Sequence, residues 1–149
     1  MSHTPHSVDV ALRWSDMDAY GHVNNVQYLR LLEDARIVAV ADWLGEGDRL
    51  LKAGLIVSRH EIEYLAALTF RHAPVRVDIW PTRVTAASFD LAYEVRDPAE
   101  VGEQLYARAE STLVAYDLEA ARPRRLSAHE RARLQDLAGE PVAFRWRPR

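Results

Sequence analysis

The spacing of hydrophobic residues predicts a strand, a long helix, four further strands and a short final helix. Near the start, Val8, Val10 and Leu12 alternate with other residues, which is the period of a strand with one buried face. A helical period follows the loop after this strand. Residues three and four positions apart then form one broad apolar face: Tyr28, Leu32, Ala35, Ala39 and Trp43.

The ends of the long helix carry recognisable signals. Asn24 is a favourable N-cap, and Gln27 three residues later predicts a capping box, so we expect the helix to begin near Asn25. Gly45 is expected to end it, because glycine commonly terminates helices. The predicted helix is the longest of the chain.

From residue 54 onward the hydrophobic period is two. The runs 56–64, 75–79, 91–95 and 104–116 predict strands, with Ile56, His60 and Ile62 sharing one face of the first and Pro81 interrupting the second. A capping box at 127–130 predicts a short helix after the last strand. One long helix on one face of an antiparallel sheet is an α+β layout.

Composition and length narrow the class of protein. The 149 residues, 48% hydrophobic and 28% charged, favour one soluble globular domain over residues 1–149. The absence of cysteine removes thiol nucleophiles, cysteine-based metal sites and disulfides. Residues 1–12 do not resemble a leader, and no run of about 18 apolar residues predicts a membrane span. We therefore expect a cytoplasmic protein, and a net charge of −3 predicts no nucleic-acid or membrane partner.

The chemistry of the chain is concentrated in one loop. Residues 13–28 read RWSDMDAYGHVNNVQY and lead directly into the long helix. A carboxylate beside a helix start can act as nucleophile or base next to backbone N–H groups that stabilise an oxyanion. The alternative is a turn that merely caps the helix, since Asp, Tyr, Gly and Asn are ordinary turn residues. The loop holds more polar groups than a turn needs: Asp16, Asp18, His22, Asn24 and Asn25.

Other reaction classes find no support in the sequence. A GxSxG elbow, a P-loop and an HExxH zinc motif are all absent. His3 and His6 have the spacing of metal ligands but stand in a polar terminus that we expect to be frayed, so we predict no metal and no cofactor. Residues 144–147 mix aromatic side chains with arginine, as single-strand binders do, yet so short a run favours a docked or loose tail.

The loop and the helix after it resemble the signature of hot-dog-fold acyl-CoA thioesterases of the 4-hydroxybenzoyl-CoA type. The similarity rests on residues 16–25 (DMDAYGHVNN), with Tyr28 and residues 33–36 (EDAR) beyond them. The HVNN piece is also similar to acyl-ACP thioesterases. The resemblance covers about residues 7–118 and leaves 119–149 as an extension. It implies a central helix wrapped by a curved antiparallel sheet, edge-to-edge dimers or dimers of dimers, and active sites at the subunit interface.

The same resemblance implies roles for individual residues. Asp18, the second acid of the pair, is the catalytic residue, and Asp16 supports the loop. Asn25 offers its backbone N–H to the thioester oxygen at the helix N-terminus. His22 matches the histidine of the acyl-ACP enzymes, but Tyr20 stands where these enzymes often have asparagine, which puts a full Asp-Asn-His constellation in doubt.

Further residues are predicted to support the loop or to bind substrate. The supporting set is completed by Gly21, Asn24 and Tyr20, and the expected acyl pocket is contributed by Tyr28, Arg59, His60 and Tyr64. For the strand residues the alternative is an ordinary strand with one solvated face. The densest basic cluster consists of Arg122, Arg124 and Arg125, which would bind the phosphates of coenzyme A or an acidic carrier protein unless it is a solvated turn.

The predicted function is hydrolysis of an acyl-CoA thioester, with Asp18 as nucleophile or general base. Hot-dog hydratases or dehydratases resemble a Gly-Asp-x-Asn-Pro-x-His pattern, which spaces its acid and histidine five apart, whereas Asp18 and His22 are four apart. An acyl-ACP thioesterase, or a subunit that binds acyl groups without turnover, would also fit this sequence. The acyl group itself is not predictable from the sequence.

Overall fold

The computed structural model describes residues 3–45 and 54–147. Its strands are β1 (His6–Val10), β2 (Leu55–Tyr64), β3 (Val75–Val84), β4 (Ser88–Arg96), β5 (Leu105–Asp117) and β6 (Arg122–Pro123). Its helices are α1 (Asn25–Leu44) and α2 (Ala128–Leu137), and a single 3₁₀ turn at Trp14–Asp16 precedes α1.

One antiparallel sheet of six strands covers α1. The order across the sheet is β1-β3-β4-β5-β2, and β6 pairs with the end of β5. The buried side of α1 and the inner face of the sheet form one continuous hydrophobic core. This is the α+β layout that the hydrophobic periods predict and the hot-dog arrangement that the family resemblance implies. It leaves β1 and β2 at the two edges of the sheet.

The central helix has the predicted bounds, but its first turn is held differently. The Asn24 side chain accepts from Val26 N, as an N-cap should. The predicted capping box does not form, because the Gln27 side chain instead accepts from the Arg13 guanidinium at 3.3 Å. Gly45 ends the helix with a φ of +82°, which favours glycine. The buried face contains the predicted residues Tyr28, Leu32, Ala35, Ala39 and Trp43.

The predicted faces of β2 are correct only in the second half of the strand. A β-bulge between Val57 and Arg59 leaves Ser58 outside the residue-by-residue pairing of β2 with β5. The extra residue reverses the alternation, so Ile56 is 42% exposed while Ile62 packs against the core. The prediction that Ile56 and Ile62 share a face is therefore wrong, because a strict period of two takes no account of an inserted residue.

Pro81 does not end its strand, contrary to the prediction. Strand β3 continues to Val84, and Pro81 pairs with Leu91 of β4. Proline has no N–H to donate to a neighbouring strand. Strand β1 pairs with β3 only as far as Ile79, so at Pro81 no hydrogen bond to β1 is lost.

Both ends of the described chain are docked. His6 is the first residue of β1, and its Nε2 lies 3.0 Å from Asp42, so the expectation of a frayed terminus is wrong. Helix α2 begins with the predicted capping box of Ser127 and Glu130, and it places Leu134 in the main core. No helix within residues 3–45 and 54–147 is long and apolar enough to cross a membrane.

Candidate functional site

The polar loop before α1 is a small closed turn. A bridge between Met17 and Val23 closes it, and inside this bridge the Asp18 N–H donates to the His22 carbonyl at 3.0 Å. The Gly21 N–H donates to the Asp18 carbonyl, and the φ of +74° at Gly21 explains the glycine. The Val23 N–H donates to the Leu68 carbonyl at 2.7 Å, which ties the loop to the chain after β2.

The Asp18 carboxylate is exposed and is oriented by two hydrogen bonds. Its Oδ1 accepts from the Tyr20 N–H at 2.9 Å, and its Oδ2 accepts from Asn24 Nδ2 at 3.1 Å. The same Asn24 side chain accepts from the Val26 N–H at 2.9 Å. Asn24 therefore fixes the carboxylate relative to the first turn of α1, while the remaining lone pairs of Asp18 stay available to solvent or substrate.

The start of α1 offers one backbone donor beside this carboxylate. The first N–H groups of a helix have no intrahelical partner. Val26 donates to the Asn24 side chain and Gln27 donates to the Asn24 carbonyl. This leaves the Asn25 N–H as the first-turn donor without a partner among the described residues. A negative oxygen placed there would also gain from the helix dipole.

Asp16 has the opposite environment. It is 1% exposed, and its carboxylate accepts from the Arg13 N–H at 2.7 Å and from the Arg30 guanidinium at 2.7 Å. Burial alone would raise the pKa of Asp16, but the hydrogen bonds from Arg13 and the charge of Arg30 outweigh burial and lower it. Asp16 is thus an ionised anchor that holds the loop to α1.

A cleft of about 490 Å³ opens between this loop and the end of β2. One wall is the loop and the start of α1: Asp18, Tyr20, His22, Val23, Asn25 and Tyr28. The other wall is the end of β2 and the segment after it: Tyr64, Leu65, Ala66, Ala67 and Leu68. The cleft therefore brings the candidate carboxylate, the helix N-terminus and an apolar wall together, as small-molecule sites commonly do.

Two tyrosines line the cleft, one from α1 and one from β2. Their rings, Tyr28 and Tyr64, meet edge to face with centroids 5.1 Å apart. Burial raises the pKa of Tyr28 to about 12, and burial also raises the pKa of Tyr64, so both stay protonated at neutral pH. The Tyr64 hydroxyl donates to the Asn25 carbonyl at 3.0 Å, which connects β2 directly to the first residue of α1.

His22 and Tyr20 line the cleft but do not complete a hydrogen-bonded triad with Asp18. Both side chains are exposed, and it is their backbone groups that bond to Asp18. Among the described residues, the His22 imidazole makes no hydrogen bond to the Asp18 carboxylate. Asn24, and not residue 20, supplies the carboxamide beside the acid.

Two predicted pocket residues on β2 lie away from the cleft. Arg59 is on the outer face of the sheet, where it pairs with the buried Glu110. His60 is on the inner side, with its Nδ1 2.7 Å from Ser111 Oγ. Burial, together with the positive charge of Arg36 and Arg59, lowers the pKa of His60. In a single chain neither residue lines the cleft.

The arginine cluster, Arg122, Arg124 and Arg125, lies far from the cleft of its own chain. The cleft is at the Tyr106 end of β5, whereas β6 and the cluster are at the Asp117 end. At the rise of a strand, the intervening residues span roughly 33 Å. Arg124 is also engaged in the fold, because it donates to the buried Glu130 at 3.1 and 3.2 Å.

The residues that hold the loop in place carry no clear signal in the sequence. The sequence does not identify Arg13 and Arg30 as partners of Asp16, or the segment 65–68 as a cleft wall. Arg30 lies one helical turn before Asp34, with which it pairs at 2.8 Å, and this spacing suggests only a surface pair. No group of three His, Asp or Glu side chains that could hold a metal ion occurs in residues 3–45 and 54–147.

Comparison with protein families identifies one match that spans most of the chain. The family model of the Thioesterase-like superfamily matches residues 12–136, which include the loop, α1 and the main strands. A search of the curated proteins finds no match.

Solved structures share the fold over nearly the whole chain. A thioesterase from Thermus thermophilus, solved with coenzyme A and Zn, is 29% identical, with 95% of this chain and 100% of that chain covered and a TM-score of 0.75. The PA2801 protein from Pseudomonas aeruginosa is 30% identical over 85% and 95% of the two chains, with a TM-score of 0.71. Slr0204, a 1,4-dihydroxy-2-naphthoyl-CoA thioesterase from Synechocystis, is 20% identical over 88% and 96%, with a TM-score of 0.74.

Proposed function

The chain belongs to the Thioesterase-like superfamily, and we propose that it hydrolyses the thioester bond of an acyl-CoA. The observation that carries this proposal is the cleft that is lined by both the exposed Asp18 and Asn25, whose N–H is a donor without a partner among the described residues. The coenzyme A in the structure of the Thermus thermophilus thioesterase supports the choice of leaving group.

The proposed roles follow from this geometry. The thioester oxygen accepts a hydrogen bond from the Asn25 N–H, which stabilises the charge that develops when the carbonyl carbon is attacked. Asp18 either attacks this carbon itself, giving a mixed anhydride that water then cleaves, or takes a proton from an attacking water. In both routes the C–S bond breaks and the sulfur leaves as a thiolate, which becomes the free thiol by taking up a proton that comes from the water consumed. The exposure of Asp18 suits either route, because both require contact with substrate or water.

The active unit is proposed to be a dimer built through β2. Within the described residues, β2 pairs only with β5, so its other edge presents unpaired backbone groups. Antiparallel pairing of two β2 edges would satisfy these groups in both copies at once. Light scattering at micromolar concentration should show no monomer, and a fully active monomer would contradict the interface site.

A dimer of this kind would also bring the arginine cluster of one copy towards the cleft of the other. In an antiparallel pair, the Tyr64 end of one β2 lies beside the Leu55 end of the other. Leu55 pairs with Ala115, near the end of β5 where the cluster begins. The second copy's arginines would then approach the cleft and bind the phosphates of coenzyme A or an acidic carrier protein.

The decisive experiment is a thioester hydrolysis assay with a panel of acyl-CoAs. Release of free thiol by the wild-type chain, and its loss in Asp18→Asn, would support the proposal. A subunit that only binds acyl groups would release no thiol, and a hydratase would change the acyl chain while the thioester stays intact. Matched acyl-CoA and acyl-ACP substrates separate the two kinds of thioesterase.

The phosphate site is tested by Arg122→Ala/Arg125→Ala, which spares the Arg124–Glu130 contact. Contacts to a remote phosphate bind substrate and transition state alike, so KM should rise several-fold while kcat hardly changes. The matching acyl-pantetheine thioester, which lacks the phosphates, should be much less affected. Equal effects on both substrates would point to a packing fault and not to a phosphate site.

A further inference from the structure

The C-terminal residues 139–147, here called the strap, cross the outer face of the sheet from β3 to β2. At its start the Gly139 N–H donates to the Pro81 carbonyl, and Trp80 Nε1 donates to the Glu140 carbonyl, each at 2.8 Å. In its middle, Arg108 of β5 donates to the Ala143 carbonyl at 3.2 Å. The strap is therefore a docked segment and not a loose tail.

Apolar contacts fasten the middle of the strap. Val142 and Phe144 are 8% and 7% exposed, and they pack with Trp80 over Ala92 of β4, which is completely buried. The match to the family model covers residues 12–136 and therefore does not include the strap.

The end of the strap forms ion pairs with carboxylates of β2 and β5. The Arg145 N–H donates to Glu63 at 2.8 Å, and the Arg145 guanidinium lies 3.5 Å from the same carboxylate. Arg147 contacts Glu61 at 3.4 Å and donates to Glu110 at 3.1 Å. The Glu63 side chain is only 9% exposed, so the strap compensates a carboxylate that is largely withdrawn from water.

Glu63 is followed directly by Tyr64, which points to the other face of the strand. Tyr64 carries the hydroxyl that bonds to the Asn25 carbonyl at 3.0 Å. Asn25 is the first residue of α1 and bears the N–H proposed to bind the thioester oxygen. Side-chain contacts and the backbone of β2 therefore link the strap to the site. Arg145 and Arg147 contact Glu63 and Glu61, the backbone connects Glu63 to Tyr64, and the Tyr64 hydroxyl contacts Asn25.

We propose that the strap is a positioning element for the site, and that Tyr64 is the positioning residue through which it acts. By fixing the outer-face side chains in the last residues of β2, the strap holds the Tyr64 hydroxyl against the first turn of α1. A backbone donor that is fixed before substrate arrives needs no reorganisation during the reaction. The expected effect on kcat rests on the proposed hydrolase function. The expected fixing of the first turn of α1 does not.

The structural test is hydrogen exchange of the first-turn amides of α1 in Arg145→Ala/Arg147→Ala and in Tyr64→Phe. Both variants should exchange these amides several-fold faster than wild type, whether or not the chain has any activity. The matched control is Arg76→Ala/Arg96→Ala, which removes two outer-face arginines that pair with Asp9, Asp78 and Glu94 and do not touch the strap. The control should leave the amides unchanged.

The catalytic test is a double-mutant cycle in the full-length chain, measured at a temperature well below every Tm. The strap variant and Tyr64→Phe should each lower kcat several-fold with little change in KM, and their combination should lower it no further than the larger single effect. Additive effects, or an unchanged kcat in the strap variant, would overturn the proposal, since a strap that only stabilises the fold would lower Tm alone. If the double arginine variant fails to fold, Arg147→Gln can replace it, and the cycle then combines Arg147→Gln with Tyr64→Phe.

Should the wild-type chain release no thiol from any acyl-CoA, the proposed function fails while the exchange result still decides the role of the strap. Fast exchange in both variants but not in the control would uphold the positioning role. Unchanged exchange in the strap variant would overturn it, regardless of activity.

Discussion

Asp16 and Asp18 are two positions apart in the same loop, yet the structure gives them opposite surroundings. Asp16 is 1% exposed and bonded to Arg13 and Arg30, whereas Asp18 is exposed and its carboxylate is bonded to the Tyr20 N–H and the Asn24 side chain. The Asp16 carboxylate pairs with two guanidinium groups. The Asp18 carboxylate faces the cleft and forms no ion pair within the described part of the chain.

The difference shows how two acids of one loop can have separate roles, one in stability and one in chemistry. A carboxylate held by guanidinium groups is a weak base, because ionisation is already stabilised and its lone pairs are occupied. A carboxylate that is exposed and has lone pairs free of cations can contact water or substrate, and can therefore take a proton from water or attack a carbonyl. Mutations in the two positions should therefore separate stability from activity.

The largest expected effect is on hydrolysis in Asp18→Asn. The amide keeps nearly the same shape but has neither basicity nor nucleophilicity, so kcat/KM should fall roughly 100-fold or more. Thermal unfolding should be almost unchanged, because this side chain is exposed. A loss of less than threefold in the thioester assay would show that Asp18 is neither base nor nucleophile.

Asp16→Asn should have the opposite profile. It leaves Arg30 without its buried partner, and breaking a buried pair is expected to cost about 3 kcal/mol in the free energy of unfolding. Activity should fall by a smaller factor than in Asp18→Asn, because only the placement of the loop suffers. Urea unfolding with the assay in parallel checks both points, and a stable but inactive variant would reverse the assignment of the two acids.

The pH dependence of stability sharpens the Asp16 prediction. Its pKa is lowered in the folded state, so the stabilisation is complete above the unfolded value of about 3.9 and is lost as pH falls through the lower folded value. Wild type should therefore lose stability in this acidic window more steeply than Asp16→Asn. If wild type and Asp16→Asn lost stability equally steeply as the pH falls, the ion pairs of Asp16 would contribute little.

Arg30→Met tests the same anchor from the side of the cation, with a smaller effect. It removes the contacts to Asp16 and Asp34 while keeping an apolar stem on the helix, so the loss of stability should be about 1 to 2 kcal/mol. Combined with Asp16→Asn, the losses should be less than additive, because both changes break one interaction. Full additivity in urea unfolding would mean that the two side chains act independently.

The smallest expected effect is in His22→Ala. The imidazole makes no hydrogen bond to Asp18 among the described residues, and it is the His22 carbonyl that holds the loop. Since the substitution keeps this carbonyl, kcat should change less than about threefold. A fall comparable to that of Asp18→Asn would instead support an acid–histidine pair like that implied by the acyl-ACP resemblance.

Local patterns were sufficient for most of the fold. The bounds of α1, the capping box at Ser127 and the four strands after residue 54 are all set by neighbours within a few positions, and the structure confirms them. The failures occur where a distant segment intervenes. Ile56 is turned outward by a bulge against β5, and Pro81 continues its strand because β1 ends earlier.

The candidate site was predicted in part for the same reason. Asp18, His22 and Asn25 lie close together in sequence at the helix start, so their placement in one cleft follows from a single turn. The environments of Asp16 and Asn25 do not follow, because Arg30 reaches Asp16 from the second turn of α1 and Tyr64 reaches Asn25 from β2. The arginine cluster shows the converse, since its density in the sequence says nothing about the roughly 33 Å of strand that separate it from the cleft.

The sequence by itself determined the hydrophobic periods, the helix caps and the identity of the polar loop, because each depends on the rise and side-chain direction of a local backbone. Only the tertiary structure decided which acid is buried, which segment forms the second wall of the cleft, and that residues 139–147 lie across the sheet. Burial and long-range hydrogen bonds depend on packing between segments tens of residues apart. No local pattern in a single chain specifies that packing.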